Sequence, residues 1–253
     1  MATPAAGRPV AAVERALAVL ELLADQPDLG VNEIARRLDV SPSSASRLLG
    51  TLAGHGLVEK VPETGRYRLG VRLLQLGTHV LQRLDVRDVA RPVLERVESA
   101  TGETATLSLP AAGEGVTVDH VPSRRSVRSA ALVGRPSVAH ATAVGKVVLA
   151  FGTGRETEIP ERLEAFTART ITDPERLTTV VAETGSRGWG EADGEREADL
   201  AAIAVPVFDH AGGLVAILGA QGPADRFDAA ARRTAVPVLE DAARELGRLL
   251  GAR

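Results

Sequence analysis

Residues 31–69, VNEIARRLDVSPSSASRLLGTLAGHGLVEKVPETGRYRL, read as two short amphipathic helices, a tight turn between them and a hairpin after them. That is the layout of a winged helix-turn-helix. Asn32 is expected to cap the first helix, in which Ile34, Ala35 and Leu38 fall on one face. The Asp39-Val40 turn leads into Ser41-Pro42, a capping hydroxyl followed by proline at the first helical position, where its missing N–H costs nothing. In the second helix Ala45, Leu48, Leu49 and Leu52 recur at i, i+3, i+4 and i+7 and must face inward. Ser43, Ser44, Ser46, Arg47 and Thr51 then face out. Short hydroxyls let a backbone approach phosphates, and Arg47 is long enough to reach guanine O6 and N7 with paired donors, so this face suits a major groove.

Gly56 stands where a left-handed residue would end the helix, and 57–60 and 66–69 read as two strands around Pro62-Glu63-Thr64-Gly65, the wing. From Arg36 to Arg72 there are seven basic residues against three acidic ones, on a chain whose net charge is -3. Basic charge is therefore concentrated on this motif, and Arg36, Arg37 and Arg66, which flank the outward helix face, are expected to neutralise phosphates.

At 253 residues the chain is long enough for two domains, each with a core, and its 44% hydrophobic content is that of a globular protein. No stretch approaches a membrane span. The first eight residues lack the apolar core of a secretory signal, and the absence of cysteine removes disulfides and thiolate metal sites, so a cytoplasmic location is expected. The basic residues are 28 arginines and two lysines, a coding bias before it is a function. One Trp, one Tyr and four Phe cannot build a platform that stacks single-stranded bases, which leaves duplex DNA as the nucleic-acid partner.

Ahead of the motif, Val13, Leu17, Leu20 and Ala24 mark a helix ending near Pro27. After the wing, residues 71–84 carry Leu73, Leu76, Val80 and Leu84 on one side and Leu74 and Leu81 on another, as a helix buried on two faces would. One face could pack on its own domain and the other on a second subunit, as reading a two-fold symmetric operator requires; a connecting helix in a monomer's core would look the same. Asp85 is expected to open the next helix, ending at Thr101-Gly102. Strand-like runs follow at 104–109, 115–121, 127–133, 201–208 and 214–219, with helices at 141–151, 174–187 and 228–250. Strand pairs joined by short turns, with helices before, between and after, indicate an α+β domain on a mainly antiparallel sheet.

Three segments carry a family likeness: the helix-turn-helix with its wing ending in YRLG, HATAVGKVVLA at 140–150, and RGWGEADGEREADLAAIAVPVFDHAGGLVAILGAQGP at 187–223. On these the chain resembles the bacterial IclR family of transcriptional regulators from about Val10 to Leu250. The resemblance implies a winged helix-turn-helix domain at 10–70, a linker helix at 71–84 and a GAF-like effector-binding domain at 85–253. It also implies homodimers formed through the DNA-binding domains and, often, tetramers as dimers of dimers. Carried over by motif, the effector-binding positions are His140, Ala141, Thr142, Asp193, Leu200, Ala202, Gly219 and Gln221. Many members have cysteine where this chain has Ala202, and small hydroxyl residues where it has Gly219 and Gln221, so neither a thiol nor a hydroxyl-rich acid clamp is carried over. The residues themselves offer the N-terminus of the 141–151 helix as an anion site for a carboxylate effector, with Gly145 allowing close approach of a ligand or of neighbouring backbone. A helix capped by His140 and Thr142 and packed on its own sheet needs no ligand at all.

Enzyme signatures are absent. Gly145-Lys146 lacks the upstream glycine of a phosphate loop, and there is neither G-x-S-x-G nor G-x-G-x-x-G. His55, His79, His120, His140 and His210 form no H-x-x-x-H pair, so no metal site and no cofactor are expected. Glu191, Asp193, Glu195, Glu197 and Asp199 read as a solvated loop with Asp193 turned inward. The sequence thus predicts a DNA-binding transcriptional regulator whose operator affinity responds to a small organic acid; a repressor is expected, although these residues do not distinguish repression from activation. The alternatives are a DNA-binding protein whose second domain only oligomerises, and an enzyme fused to a DNA-binding domain.

Overall fold

The computed structural model describes residues 10–251 apart from 27, 84, 85, 112, 154–157 and 160, and divides the chain into two compact units, 1–84 and 85–253. The first unit holds α1 (Ala11–Asp25), α2 (Val31–Arg37), α3 (Pro42–Gly54), the hairpin β1 (Val58–Lys60) and β2 (Tyr67–Leu69), and α4 (Val71–Arg83). Its core joins Val19 and Leu23 of α1 to Ile34, Ala35, Ala45, Leu49 and Val58.

Helix α3 begins as its sequence dictates, the Ser44 N–H donating to Ser41 Oγ at 3.1 Å. Gly56, at φ 70°, turns the chain into the wing, and Asp39 takes φ 50° in the turn between α2 and α3. Two expectations change. Helix α2 starts at Gly30 rather than Asn32: the Gly30 N–H donates to Glu33 Oε2 at 3.0 Å, so the first turn is closed by the glutamate three residues on. In α1 the buried residues are Val19 and Leu23, whereas Val13 (55% exposed), Leu17 (54%) and Ala24 face out. Apolar residues occupy both sides of α1, and the inner side is the one that meets α3. Helix α4 likewise exposes Val71 (64%), Leu74 (70%) and Leu76 (44%). The expected roles of the side chains of Val80, Leu81 and Leu84, and of Asp85, lie outside the described residues.

The second unit runs α5 (Val86–Thr101), β3 (Thr104–Ala111), β4 (Glu114–Val121), β5 (Pro136–Ser137), α6 (Ala143–Phe151), α7 (Pro174–Arg187), β6 (Gly190–Asp193), β7 (Leu200–Phe208), β8 (Leu214–Pro223) and α8 (Ala229–Gly251). The strands form one antiparallel sheet in the order β5-β4-β3-β8-β7-β6. Helices α5 and α8 pack on each other and on the sheet; α6 lies on Ala192, Ala204 and Ile217, with α7 behind it.

The run at 127–133 is not a strand. Its neighbourhood is held by side chains instead of a ladder: Ser129 Oγ donates to the Gln221 carbonyl at 3.2 Å, Thr104 Oγ1 to the Ser129 carbonyl at 3.3 Å, and Arg226 to the Val127 carbonyl at 3.0 Å. Conversely, 190–193 is an edge strand, not loop, paired from Gly190↔Ala204 to Asp193↔Ala201.

Helix α6 starts two residues later than its sequence pattern suggests, and its seat is unusually close. A Cβ on Gly145 would lie 2.5 Å from Ala139 Cα and from the Val138 carbonyl oxygen, and one on Gly190 would lie 2.6 Å from the Ala143 carbonyl oxygen. Gly145 therefore admits neighbouring backbone. Gly145→Ala is expected to destabilise the protein by about 1–3 kcal/mol, because backbone must move to make room, read as a lower denaturant midpoint.

Candidate DNA-binding face and ligand cavity

The outward face of α3 is as expected: Ser43, Ser44, Ser46, Arg47 and Thr51 are all exposed. Their side chains differ in availability. Ser43 and Ser44 each share a hydrogen bond with Ser41 Oγ at 2.9 Å, and Thr51 Oγ1 donates back to the Arg47 carbonyl at 3.0 Å. Among the described residues, the side chains of Ser46, Arg47 and Arg36 make no hydrogen bond or ion pair. Arg37 donates to Gln26 Oε1 at 2.8 Å. Arg66 is further engaged, with the Glu33 carboxylate at 2.6 Å and the Asp28 carbonyl at 2.9 Å, so the wing is fastened to α2 through the same glutamate that closes its first turn. The Gly30 N–H and the Arg66 charge together hold the Glu33 carboxyl below its usual range.

In the second unit, the sheet face beneath α6 opens into a cavity of about 80 Å³. Ala141 and Thr142 border it at the start of α6, Leu200 and Ala202 from β7, and Gly219 and Gln221 from β8. Alternation along the strands explains this set: residues 200 and 202, and 219 and 221, project to one side of the sheet. The same rule removes Asp193. Ala192 beside it packs toward α6, so Asp193 projects to the opposite side, where Arg232 of α8 donates to it at 3.0 Å and Arg169 at 2.8 Å. His140 is also absent from the lining: its ring stacks on Phe166, centroids 5.8 Å apart, and Nε2 lies 2.8 Å from the Glu164 carbonyl oxygen. Both expected effector contacts are thus occupied elsewhere in the fold.

Thr142 caps α6, its Oγ1 accepting the Gly145 N–H at 2.9 Å, which satisfies part of the helix terminus offered to an anion. The cavity also has polar walls that the sequence reading missed: Thr106 and Thr117 from β3 and β4, and Arg135, Glu195, Arg196 and Glu197 from the loops. Period-two alternation marks the threonines, whereas nothing local marks the loop arginines. Arg135 pairs with Glu197 at 2.6 Å. Glu195 receives Lys146, a cation 2% exposed, at 2.6 and 2.8 Å, and Lys146 also donates to the Glu191 carbonyl at 2.8 Å. Burial pushes the Lys146 pKa down, and Glu195 opposes that shift. Among the described residues no group of three or more His, Cys, Asp or Glu is placed to hold a metal ion, and no helix is long and apolar enough to cross a membrane.

With this geometry in place, the chain can be set beside known proteins. The profile of the IclR helix-turn-helix domain matches residues 12–62, and that of the bacterial transcriptional regulator IclR C-terminal matches residues 78–248. The HTH-type transcriptional regulator XynR of Escherichia coli is 32% identical over 96% of this chain and 98% of its own length. The structure of an IclR transcriptional regulator from Silicibacter sp. TM1040 superposes with a TM-score of 0.82 at 27% identity, covering 95% of this chain and 96% of that one. An IclR homologue from Microbacterium hydrocarbonoxydans, solved with 4-hydroxybenzoate bound, gives a TM-score of 0.73 at 28% identity, covering 96% and 100%.

Lys146→Met should cost about 3–5 kcal/mol, because it strands the Glu195 carboxylate without its cation. Adding Glu195→Gln in that background should recover part of the loss, since a neutral amide leaves no unpaired charge; denaturant melts of the single and double variants check both.

Proposed function

The chain belongs to the IclR family of bacterial transcriptional regulators, and we propose that it is a repressor that releases its operator when a small organic acid enters the cavity beneath α6. It binds DNA and regulates transcription as the family does; the repressing sense, the effector and the residues are the proposal. The observation that carries it is the exposed α3 face with its unengaged Arg47. Arg47 reads a base, Ser43, Ser44, Ser46 and Thr51 line the approach, and Arg36 neutralises a phosphate. Arg37 and Arg66 flank the same face and contribute charge, though their present bonds to Gln26, Glu33 and Asp28 make them weaker phosphate partners.

A two-fold symmetric operator requires two such units, and the exposed apolar residues Val10, Val13 and Leu17 of the α1 region and Val71 and Leu76 of α4 support a homodimer, or a dimer of dimers. The reading places the protein in the cytoplasm with its DNA and gives it no catalytic role. Ala141, Thr142, Leu200, Ala202, Gly219 and Gln221 form the effector site, and the 4-hydroxybenzoate held by the Microbacterium relative supports an acid as ligand. The small cavity favours one competing reading, a second unit that only oligomerises. At about 80 Å³ it falls short of the roughly 300–1,000 Å³ usual for ligand pockets, so a ligand must displace part of the wall. That displacement is what regulation needs: about 1–3 kcal/mol of coupling between the two binding events changes operator affinity roughly 5- to 150-fold.

Arg47→Ala is expected to lose roughly 1–3 kcal/mol of operator affinity and to relax preference at one position in each half-site. Arg36→Ala should instead weaken all duplexes alike and lower the salt slope by about one unit per subunit. Titrations of operator and random DNA separate the two; equal losses on both for Arg47→Ala would remove the base contact. Ala202→Trp should fill the cavity and abolish the response to candidate acids while operator binding persists, and an undiminished response would move the effector site elsewhere.

A further inference from the structure

The charged residues that border the cavity are Arg135, Glu195, Arg196 and Glu197, and they are not all paired with one another, because the buried Lys146 outside the lining takes Glu195. Glu195 is matched by Lys146 and Glu197 by Arg135, each at hydrogen-bond distance. Arg196, between the two glutamates in sequence, has no carboxylate partner among the described residues: its one hydrogen bond runs from Nη1 to the Pro136 carbonyl oxygen at 2.6 Å. Glu197 and Glu114 act on it only at longer range, without a hydrogen bond. The side chain is half-buried, and burial together with the neighbouring Arg135 charge opposes its protonated form. A guanidinium does not resolve such a conflict by losing its proton, so its open donors stay charged and available to an anion. Nε and Nη2 remain as an adjacent pair of donors, the edge that accepts a carboxylate through two parallel hydrogen bonds. Meanwhile Thr142 has taken up part of the α6 terminus, the other anion-binding feature of the cavity.

Resting on the effector reading above, we propose that Arg196 receives the acid group of the effector, and that the effector is a monocarboxylate with an apolar body. One unmatched cation calls for one anionic group. The rest of the ligand would lie over Ala141, Leu200, Ala202 and Gly219, which present no hydroxyl, ammonium or guanidinium side chain. A second carboxylate would meet this apolar floor, the neutral hydroxyls of Thr106 and Thr117, or the carboxylates of Glu195 and Glu197, and the other lining cation, Arg135, is already held by Glu197.

The test uses benzoate, its neutral isostere benzamide, and terephthalate, which adds a second carboxylate at the far end, each titrated by calorimetry into the full-length protein up to millimolar concentration. The wild type is expected to bind benzoate roughly tenfold or more tightly than either competitor, as a charge-assisted hydrogen bond in a half-buried site allows. In Arg196→Gln the advantage of benzoate over benzamide should vanish, and Arg196→Lys should restore part of it; thermal melts confirm that the variants fold. A benzoate preference that survives Arg196→Gln, or terephthalate equal to benzoate in the wild type, would overturn the assignment while leaving the cavity as the effector site. Benzoate binding that survives Ala202→Trp would overturn the cavity reading itself. No binding of benzoate by the wild type would overturn the monocarboxylate.

Discussion

Helix α6 sits against its neighbours at backbone distance, and much of the second unit follows from that contact. Glycine at 145 lets the helix meet the Val138–Ala139 backbone, and glycine at 190 lets the edge strand pass under the Ala143 carbonyl. Close seating leaves Lys146 no route to solvent, so its ammonium must find partners inside, and it finds the Glu195 carboxylate and the Glu191 carbonyl. That pair in turn anchors the loop after β6, the loop that carries Arg196 and Glu197 to the cavity wall. Packing of two glycines, burial of one cation and placement of the candidate site thus form one causal sequence.

The two faces of the sheet divide the chemistry. On the α6 side, small residues leave space and Lys146 is the buried cation. On the other side, Arg232 of α8 meets Asp193 and approaches Glu191, and Glu103, between α5 and β3, is held bidentately by Arg226, with Arg125 beside it. Glu103 also ties down the segment after β4, since Arg226 reaches the Val127 carbonyl from the same guanidinium. The segment after β4 is therefore pinned at Val127 and Ser129 before it reaches the cavity wall at Ala130, and is tied down again at Gly134, Arg135 and Pro136.

What the sequence made legible follows from which physical signals are local. The i, i+3, i+4, i+7 spacing of Ala45, Leu48, Leu49 and Leu52 located α3, although Leu48 is only half-buried while the other three are in the core, and the Ser41-Pro42 start was right to the residue, because periodicity and capping act within a few positions. In α1 the same logic chose the wrong face, since Val13 and Leu17 are as apolar as the residues that are buried. Strand β6 went unread because Gly190 and Ala192 are buried by smallness rather than hydrophobicity, between acidic residues that look solvated. The 127–133 run was read as a strand from its apolar content, but its surroundings are held by hydrogen bonds from distant side chains. His140 and Asp193 were placed in the cavity by motif, and their partners Phe166, Glu164 and Arg232 are far enough along the chain that no local pattern betrays them. Arg196 was missed for the converse reason: what sets it apart is the lack of a carboxylate partner among the described residues, which only the assembled charges reveal.

The glycine and alanine floor beneath α6 also bears on how such a chain can change its ligand. Side chains already reduced to hydrogen or methyl have almost nothing left to remove, so substitutions at Ala202 or Gly219 can only shrink the space, and at Gly219 even a methyl would press on Thr106 Oγ1, 2.6 Å away. Enlarging or re-charging the cavity must come from its loops, from Ala130 to Ser137 and from Glu195 to Glu197. Changes in the size and charge of the cavity are thereby steered toward two short stretches of sequence, while the floor is set by the seating of a helix.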